Sequence, residues 1–176
     1  VIRVESAAEM ARAVDAHVGA ASIVIAAAAV ADYRPKRRAD RKDPKVKGAT
    51  TLDLETTRDI VATIDRGRRD RIVVGFAAET GDPVEKARGK LERKKLDLIV
   101  ANDVTAAGAG FDVETNVVTL VDASGATSLP MLDKDDVADA ILDRVVALRT
   151  ERTKPARVAR GAPRAQAKPP SRSRRR

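Results

Sequence analysis

The spacing of apolar and polar positions changes several times along the chain, and each change marks an element. Val1–Val4 (VIRV) reads as a strand. Ser6 and Glu9 then stand at capping-box spacing, in which each side chain meets an amide left free at a helix start. A helix is predicted to about Ala20, with Met10, Val14 and Val18 on one face. Ser22–Ala28 (SIVIAAA) carries no charge and reads as a buried strand. Strand, helix, strand at this spacing is a βαβ unit, which requires a parallel sheet and a right-handed crossover. Polar residues without periodicity follow from about Val30 to Thr50, and the expectation there is a long loop. Thr51–Glu55 (TLDLE) alternates like a strand. Thr57 to about Arg66 reads as a helix buried through Ile60, Val61 and Ile64. Arg71–Ala77 (RIVVGFA) is a further buried strand. Pro83, well suited to a first helical turn, opens a helix to about Lys95, and Leu96–Ala101 is the next strand. Asn116–Val121 and Ala126–Leu129 form a hairpin pattern around Ser124-Gly125. The last helix begins near Asp133 and Asp136, with Val137, Ile141, Val145 and Leu148 as its apolar stripe. Strand and helix in alternation imply an open α/β sheet whose ligands bind at the carboxyl ends of the strands.

Composition sharpens that picture. Of 176 residues 43% are hydrophobic, mostly Ala and Val, with Tyr33, Phe76 and Phe111 the only aromatics. Small apolar side chains suit parallel strands covered on both faces. There is no cysteine, which excludes disulfides, thiolate metal sites and a cysteine nucleophile. His17 is the single histidine, in a predicted surface helix, which argues against histidine-based metal or triad chemistry. No apolar run approaches the roughly 20 residues of a membrane span, and no secretory signal is present; the expected location is the cytoplasm. The net charge of +8 is unevenly spread. Residues 151–176 hold 10 Lys/Arg and one Glu, which leaves 24 basic against 25 acidic residues in 1–150. One domain over 1–150 and a basic Pro/Ala/Arg tail over 151–176, expected to be disordered, follow. Such a tail touches nucleic acid only non-specifically, by charge.

Three patches follow strands and so fall where α/β sheets bind ligands. Ala26–Arg34 (AAAAVADYR) would let a ligand approach the backbone closely, and Asp32 could accept hydrogen bonds; the ordinary alternative is a strand exit with Asp32 capping a turn. Lys45 and Lys47 lie in a basic stretch able to close over a polyphosphate, or simply to be solvated. Gly75–Glu79 (GFAAE) precedes a helix with Lys86, Lys90 and Lys94 four apart on one face; such a face can meet phosphate or only water. Neither a dinucleotide glycine fingerprint nor a P-loop is present.

Taken in order, Ala-Ala-Ala-Val-Ala-Asp-Tyr-Arg-Pro, Lys-Val-Lys, Gly-Phe-Ala-Ala-Glu-Thr and Lys-Lys-Leu-Asp-Leu-Ile-Val-Ala-Asn-Asp resemble the bacterial phosphopantothenate–cysteine ligase domain over about residues 1–150. The resemblance implies a Rossmann-like, doubly wound, mostly parallel sheet with a C-terminal β-hairpin. Set against the family's pattern, the family's N-terminal segment is missing from this sequence, so the domain is expected to be incomplete at its N-terminus and to lack the first strand of its sheet, and whether this fragment is active is left open. The implied reaction joins 4′-phosphopantothenate and cysteine through an acyl-cytidylate, using CTP with Mg²⁺; no flavin is expected in this chain, nor a protein metal cage. The nucleotide contacts implied fall on Ala26, Ala27, Ala28, Asp32, Lys45, Asp59, Ile60, Val61, Phe76, Lys90 and Lys94, with Lys45 the catalytic lysine. Asn102 and Asp103 match a further motif without an assigned role. The family's Asn-Pro-Asp-Ile is here Thr57-Arg58-Asp59-Ile60, which changes the turn chemistry at that contact. A homodimer assisted by the Asn116–Leu129 hairpin, and association with a phosphopantothenoylcysteine decarboxylase domain, are further implied. The alternatives left open are a nucleic-acid-binding module built on the tail and an NADPH-binding Rossmann protein.

Overall fold

The computed structural model describes residues 1–37, 41, 47–64, 67–68, 70–79, 83–103 and 113–153. Two helices and the strands between them set the frame: α1 (Ala7–His17), β1 (Ile23–Ala26), β2 (Tyr33–Pro35), β3 (Leu54–Thr56), β4 (Ile72–Glu79), α2 (Pro83–Arg93) and β5 (Leu98–Asp103). The chain continues through β6 (Thr115–Asn116), β7 (Val118–Asp122), β8 (Gly125–Ser128), β9 (Leu132–Asp133) and α3 (Lys134–Thr153). One sheet has the order β1-β4-β5-β7-β8. Its first three strands are parallel, and β7 and β8 run antiparallel. This is the doubly wound, mostly parallel α/β sheet with its hairpin at one edge. Of the tail expected over 151–176, residues 151–153 are the last turn of α3, where Arg152 pairs with Asp97; residues 154–176 lie outside the described residues.

Alternation along the strands divides the core in two. Val73, Ala77, Ile99, Ala101 and Val121 pack with Ala87 and Leu91 of α2, and Val14 and Val18 of α1 join them. Ile72, Val74, Leu98 and Val100 pack instead with Val137, Ile141 and Val145 of α3. Most of these strand residues are fully buried, and each large one contributes roughly 1.5–3 kcal/mol through burial. Gly75 is needed where a Cβ would come within 2.8 Å of Leu96 Cδ1. The end of α2 closes as a Schellman motif: Leu96 N bonds Leu91 O at 2.9 Å, Lys95 N bonds Glu92 O at 3.1 Å, and Lys95 takes φ 51. Lys94 is thereby the capping residue, and α2 stops at Arg93 instead of reaching Lys95.

Several expectations are corrected. Val1–Val4 joins no ladder among the described residues, and Val1 and Ile2 are exposed; an apolar run without a neighbouring edge leaves its backbone unpaired and is no strand. The stretch from Val30 is not loop throughout, because β2 pairs antiparallel with β3. Arg34 stands directly opposite Glu55, and the two bond at 2.8 Å, an opposite-charge cross-strand pair that favours this register. The predicted helix from Thr57 is a series of turns as far as Ile64. Thr63 N and Ile64 N bond three residues back, both at 3.3 Å, and Thr63 Oγ1 also takes the Ile60 carbonyl. Ile60, Val61, Thr63 and Ile64 are β-branched, which lowers helix propensity, and the hydroxyl competes for the carbonyl. The burial of Ile60 and Ile64 is as predicted.

Candidate active site

Where β1 ends, a cavity of about 650 Å³ opens between the start of α1 and the β2–β3 arm. Ser6, Met10 and Arg12 form one wall, Ala28–Ala31 the floor, and Arg34 and Arg58 the other side. The floor is the run of small residues expected to admit a ligand to the backbone. Ser6 caps α1 by accepting from Glu9 N at 3.2 Å. Glu9 reaches back to Glu5 N at 2.8 Å. That amide bond is the first cause of a Glu9 carboxyl held below its ordinary range; burial opposes it weakly.

The segment where the family's turn is altered is rebuilt with other bonds. Thr57 N bonds Asp32 O at 2.8 Å, and Thr57 Oγ1 bonds Ala31 O at 2.5 Å. Arg58 grips both carboxylate oxygens of Asp15 at 2.5 and 3.0 Å and also reaches Thr63. The turn is thus tied to the β1 exit on one side and to α1 on the other. One residue further on, Asp59 Oδ1 accepts from Ala62 N at 3.1 Å, and Oδ2 meets Lys94 Nζ at 2.9 Å. Partial burial pushes the Asp59 carboxyl up, but the Lys94 hydrogen bond and the Ala62 and Val61 amides outweigh it, so it sits below the ordinary aspartate range.

The predicted site residues therefore fall into three groups. Ala26 ends β1 opposite Gly75, Ala27 follows, and Ala28 lies in the cavity; Asp32 is exposed just before β2. Asp59 and Lys94 are brought into contact, Ile60 and Val61 pack into the core beside them, and Lys90 lies one turn before Lys94 on α2. Phe76 is 41% exposed. By alternation with Ile72 and Val74 it projects on the α3 face, away from α2. Lys45 lies outside the described residues. Asn102, near the end of β5, has a buried Oδ1 with no donor among the described residues.

Sequence reasoning missed three contacts: Arg34–Glu55, Arg58–Asp15 and Asp59–Lys94. The only signal for any of them is the unusual Arg58 where the family carries proline; the partners come together only once the chain is folded.

Comparison with known proteins places this geometry. The family model for the DNA/pantothenate metabolism flavoprotein C-terminal domain matches residues 1–148. The coenzyme A biosynthesis bifunctional protein CoaBC of Bacillus subtilis strain 168 is 48% identical over 148 residues, covering 84% of this chain and 36% of that protein. Its counterpart in Vibrio cholerae is 45% identical over 144 residues, 80% of this chain and again 36% of that protein. The chain thus spans about a third of the length of these curated relatives. Among solved structures, the C-terminal domain of CoaBC superposes with a TM-score of 0.67 at 35% identity, covering 85% of this chain and 66% of that one. A DNA/pantothenate metabolism flavoprotein from Streptococcus pneumoniae shares the fold, with a TM-score of 0.67 at 18% identity. By the match over residues 1–148, this chain belongs to the DNA/pantothenate metabolism flavoprotein C-terminal domain family.

Proposed function

We propose that this domain carries the ligase half-reaction chemistry of coenzyme A biosynthesis, joining 4′-phosphopantothenate to cysteine at the expense of CTP. The observation that carries this reading is the 48% identity with a coenzyme A biosynthesis protein over 148 residues, together with a family match over residues 1–148, which include the cavity and every predicted site residue. The family match leaves the nucleic-acid and NADPH readings without support.

In the proposed reaction a carboxylate oxygen of 4′-phosphopantothenate attacks the α-phosphorus of CTP. The bond from that phosphorus to the bridging oxygen breaks, and pyrophosphate leaves. The cysteine nitrogen, having lost a proton, then attacks the acyl carbon; the acyl–oxygen bond breaks and CMP leaves. The protein's share is to orient the reactants and to offset phosphate charge. Ala26, Ala27 and Ala28 offer backbone that a ligand can approach, Asp32 stands at the rim, and Lys90 and Lys94 supply positive charge. Ile60 and Val61 hold the turn against the core. Phe76, 41% exposed and one residue past the end of the β1 pairing, is open to a base reaching over the end of β1. Lys45 is assigned the catalytic charge on the strength of the resemblance alone. Among the described residues no three His, Cys, Asp or Glu side chains gather as a metal cage, so this reading gives Mg²⁺ to the triphosphate oxygens and water, as part of the substrate. Self-association through the exposed β8 edge, and a decarboxylase domain as partner, belong to the same proposal. The proposed site of action is the cytoplasm; no described helix is long and apolar enough to cross a membrane.

Calorimetric titration of Mg·CTP into the purified chain, beside a Lys90→Ala, Lys94→Ala variant, tests the reading. Saturable binding, weakened at least tenfold in the variant, is the expected result. A folded chain that binds no CTP would remove the assignment.

A further inference from the structure

Two residues expected to serve a nucleotide instead hold each other. Lys94 Nζ lies 2.9 Å from Asp59 Oδ2. Both main chains are fixed. Lys94 caps α2, and the Schellman closure at Lys95 and Leu96 pins its backbone. Asp59 lies between Arg58, which is clamped on Asp15, and Ile60, which is buried. What can move is the contact itself: the side chains are 28% and 44% exposed, so water and ligands reach them. An ion pair that exposed is weak, worth at most about fivefold in an equilibrium. A ligand carrying several negative charges can therefore take the lysine from it.

We propose that Asp59 is a specificity-determining residue that competes with phosphate for Lys94, holding the lysine when no phosphate is present and reclaiming it when phosphate leaves. This rests on the nucleotide-binding reading above. Partial burial pushes the Asp59 carboxyl up, and while Lys94 is in place its hydrogen bond and the Ala62 and Val61 amides hold that carboxyl below the ordinary aspartate range. Left beside a bound phosphate, it costs affinity through like charge. Every phosphate ligand meets that cost, and only one with several charges near Lys94 offsets it easily. The arrangement favours polyphosphates over singly phosphorylated ligands. The turn does not depend on the exchange, because the Ala62 amide bonds the other oxygen, Oδ1.

Asp59→Asn separates the two roles. Its side-chain oxygen still accepts from Ala62, but the charge is gone. Calorimetric titrations with Mg·CTP and with inorganic pyrophosphate would compare the wild type, Asp59→Asn, Lys94→Ala and the double variant. Asp59→Asn is expected to tighten both ligands about three- to tenfold. Lys94→Ala should weaken both, and adding Asp59→Asn to it should regain less affinity than Asp59→Asn gains in the wild type, because there only the like-charge cost remains to be removed. A gain in affinity cannot come from structural damage. Weaker or unchanged binding in Asp59→Asn would overturn the proposal, since a residue that merely positions Lys94 gives a loss. An equal gain in the Lys94→Ala background would also overturn it, because the effect would then not run through the lysine. A folded wild type that binds neither ligand removes the nucleotide reading, and this inference with it.

Discussion

Asn102 should be worth more to stability as leucine than as itself. Its Oδ1 is buried with no donor among the described residues. It lies on the strand face of Leu98 and Val100, both 0% exposed, and pairs in register with Val118, 2% exposed. A buried acceptor left without a partner costs about 1–3 kcal/mol. Leucine has the same branched heavy-atom skeleton, removes that cost and adds apolar contact to the same cluster. Asn102→Leu is therefore expected to stabilise by about 2 kcal/mol, which for a domain of this size raises Tm by about 4–8 °C. Thermal unfolding followed by circular dichroism at neutral pH, with urea unfolding beside it, measures the change. A Tm equal to or below that of the wild type would refute the reasoning, for it would mean that the carboxamide is satisfied in solution. A polar residue kept at a loss near the carboxyl end of a parallel strand is the kind of expense that functional sites carry.

Two further outcomes follow from the geometry. Gly75→Ala places a Cβ 2.8 Å from Leu96 Cδ1 and should cost about 1–3 kcal/mol; an unchanged or raised urea midpoint would show that Leu96 moves aside freely. Asp122 is gripped by Arg144 Nε at 2.6 Å and by the Ser124 amide and hydroxyl at 2.7 and 2.6 Å. Burial pushes its carboxyl up, but these partners outweigh burial and hold it below the ordinary aspartate value of 3.8. Its contribution to stability is therefore present above that value and lost as pH falls through the lower folded one. The Tm gap between wild type and Asp122→Asn should be wide at pH 6, from about 3 kcal/mol of broken pair, and should close below about pH 4; a gap independent of pH would refute the assignment.

The central fold was largely legible because its signals are local. Ile72–Ala77 and Leu98–Ala101 are apolar runs buried except at Phe76, and the Val137, Ile141, Val145 stripe admits only a helix. Ile23–Ala26, expected to be buried, is a strand as predicted but stands at the sheet edge, only partly covered and with Ile25 41% exposed. What escaped depends on partners distant in sequence. Tyr33–Pro35 is a strand because Arg34 finds Glu55 twenty-one residues away. Thr57–Ile64 fails as a helix because its threonines and arginine bond elsewhere. Val1–Val4 has strand composition and no neighbour. Of the site, the positions at strand exits could be read from topology. The pairing of Asp59 with Lys94 could not, since each charge in the sequence has many possible partners.

The altered turn shows how the site's frame tolerates different chemistry. Proline in the family's version would fix one φ angle and reduce the freedom of the unfolded chain. Here Arg58 supplies no such restriction. Its guanidinium instead closes a bidentate pair on Asp15, and Thr57 binds the β1 exit through both its amide and its hydroxyl. The pair is about half exposed, so its own contribution to stability is small. The two solutions differ in where the constraint resides. Proline acts within one residue, whereas Arg58 couples the turn to α1 and hence to the cavity wall formed by Met10 and Arg12. The placement of Asp59, and through it of Lys94, is accordingly tied in this chain to the position of α1.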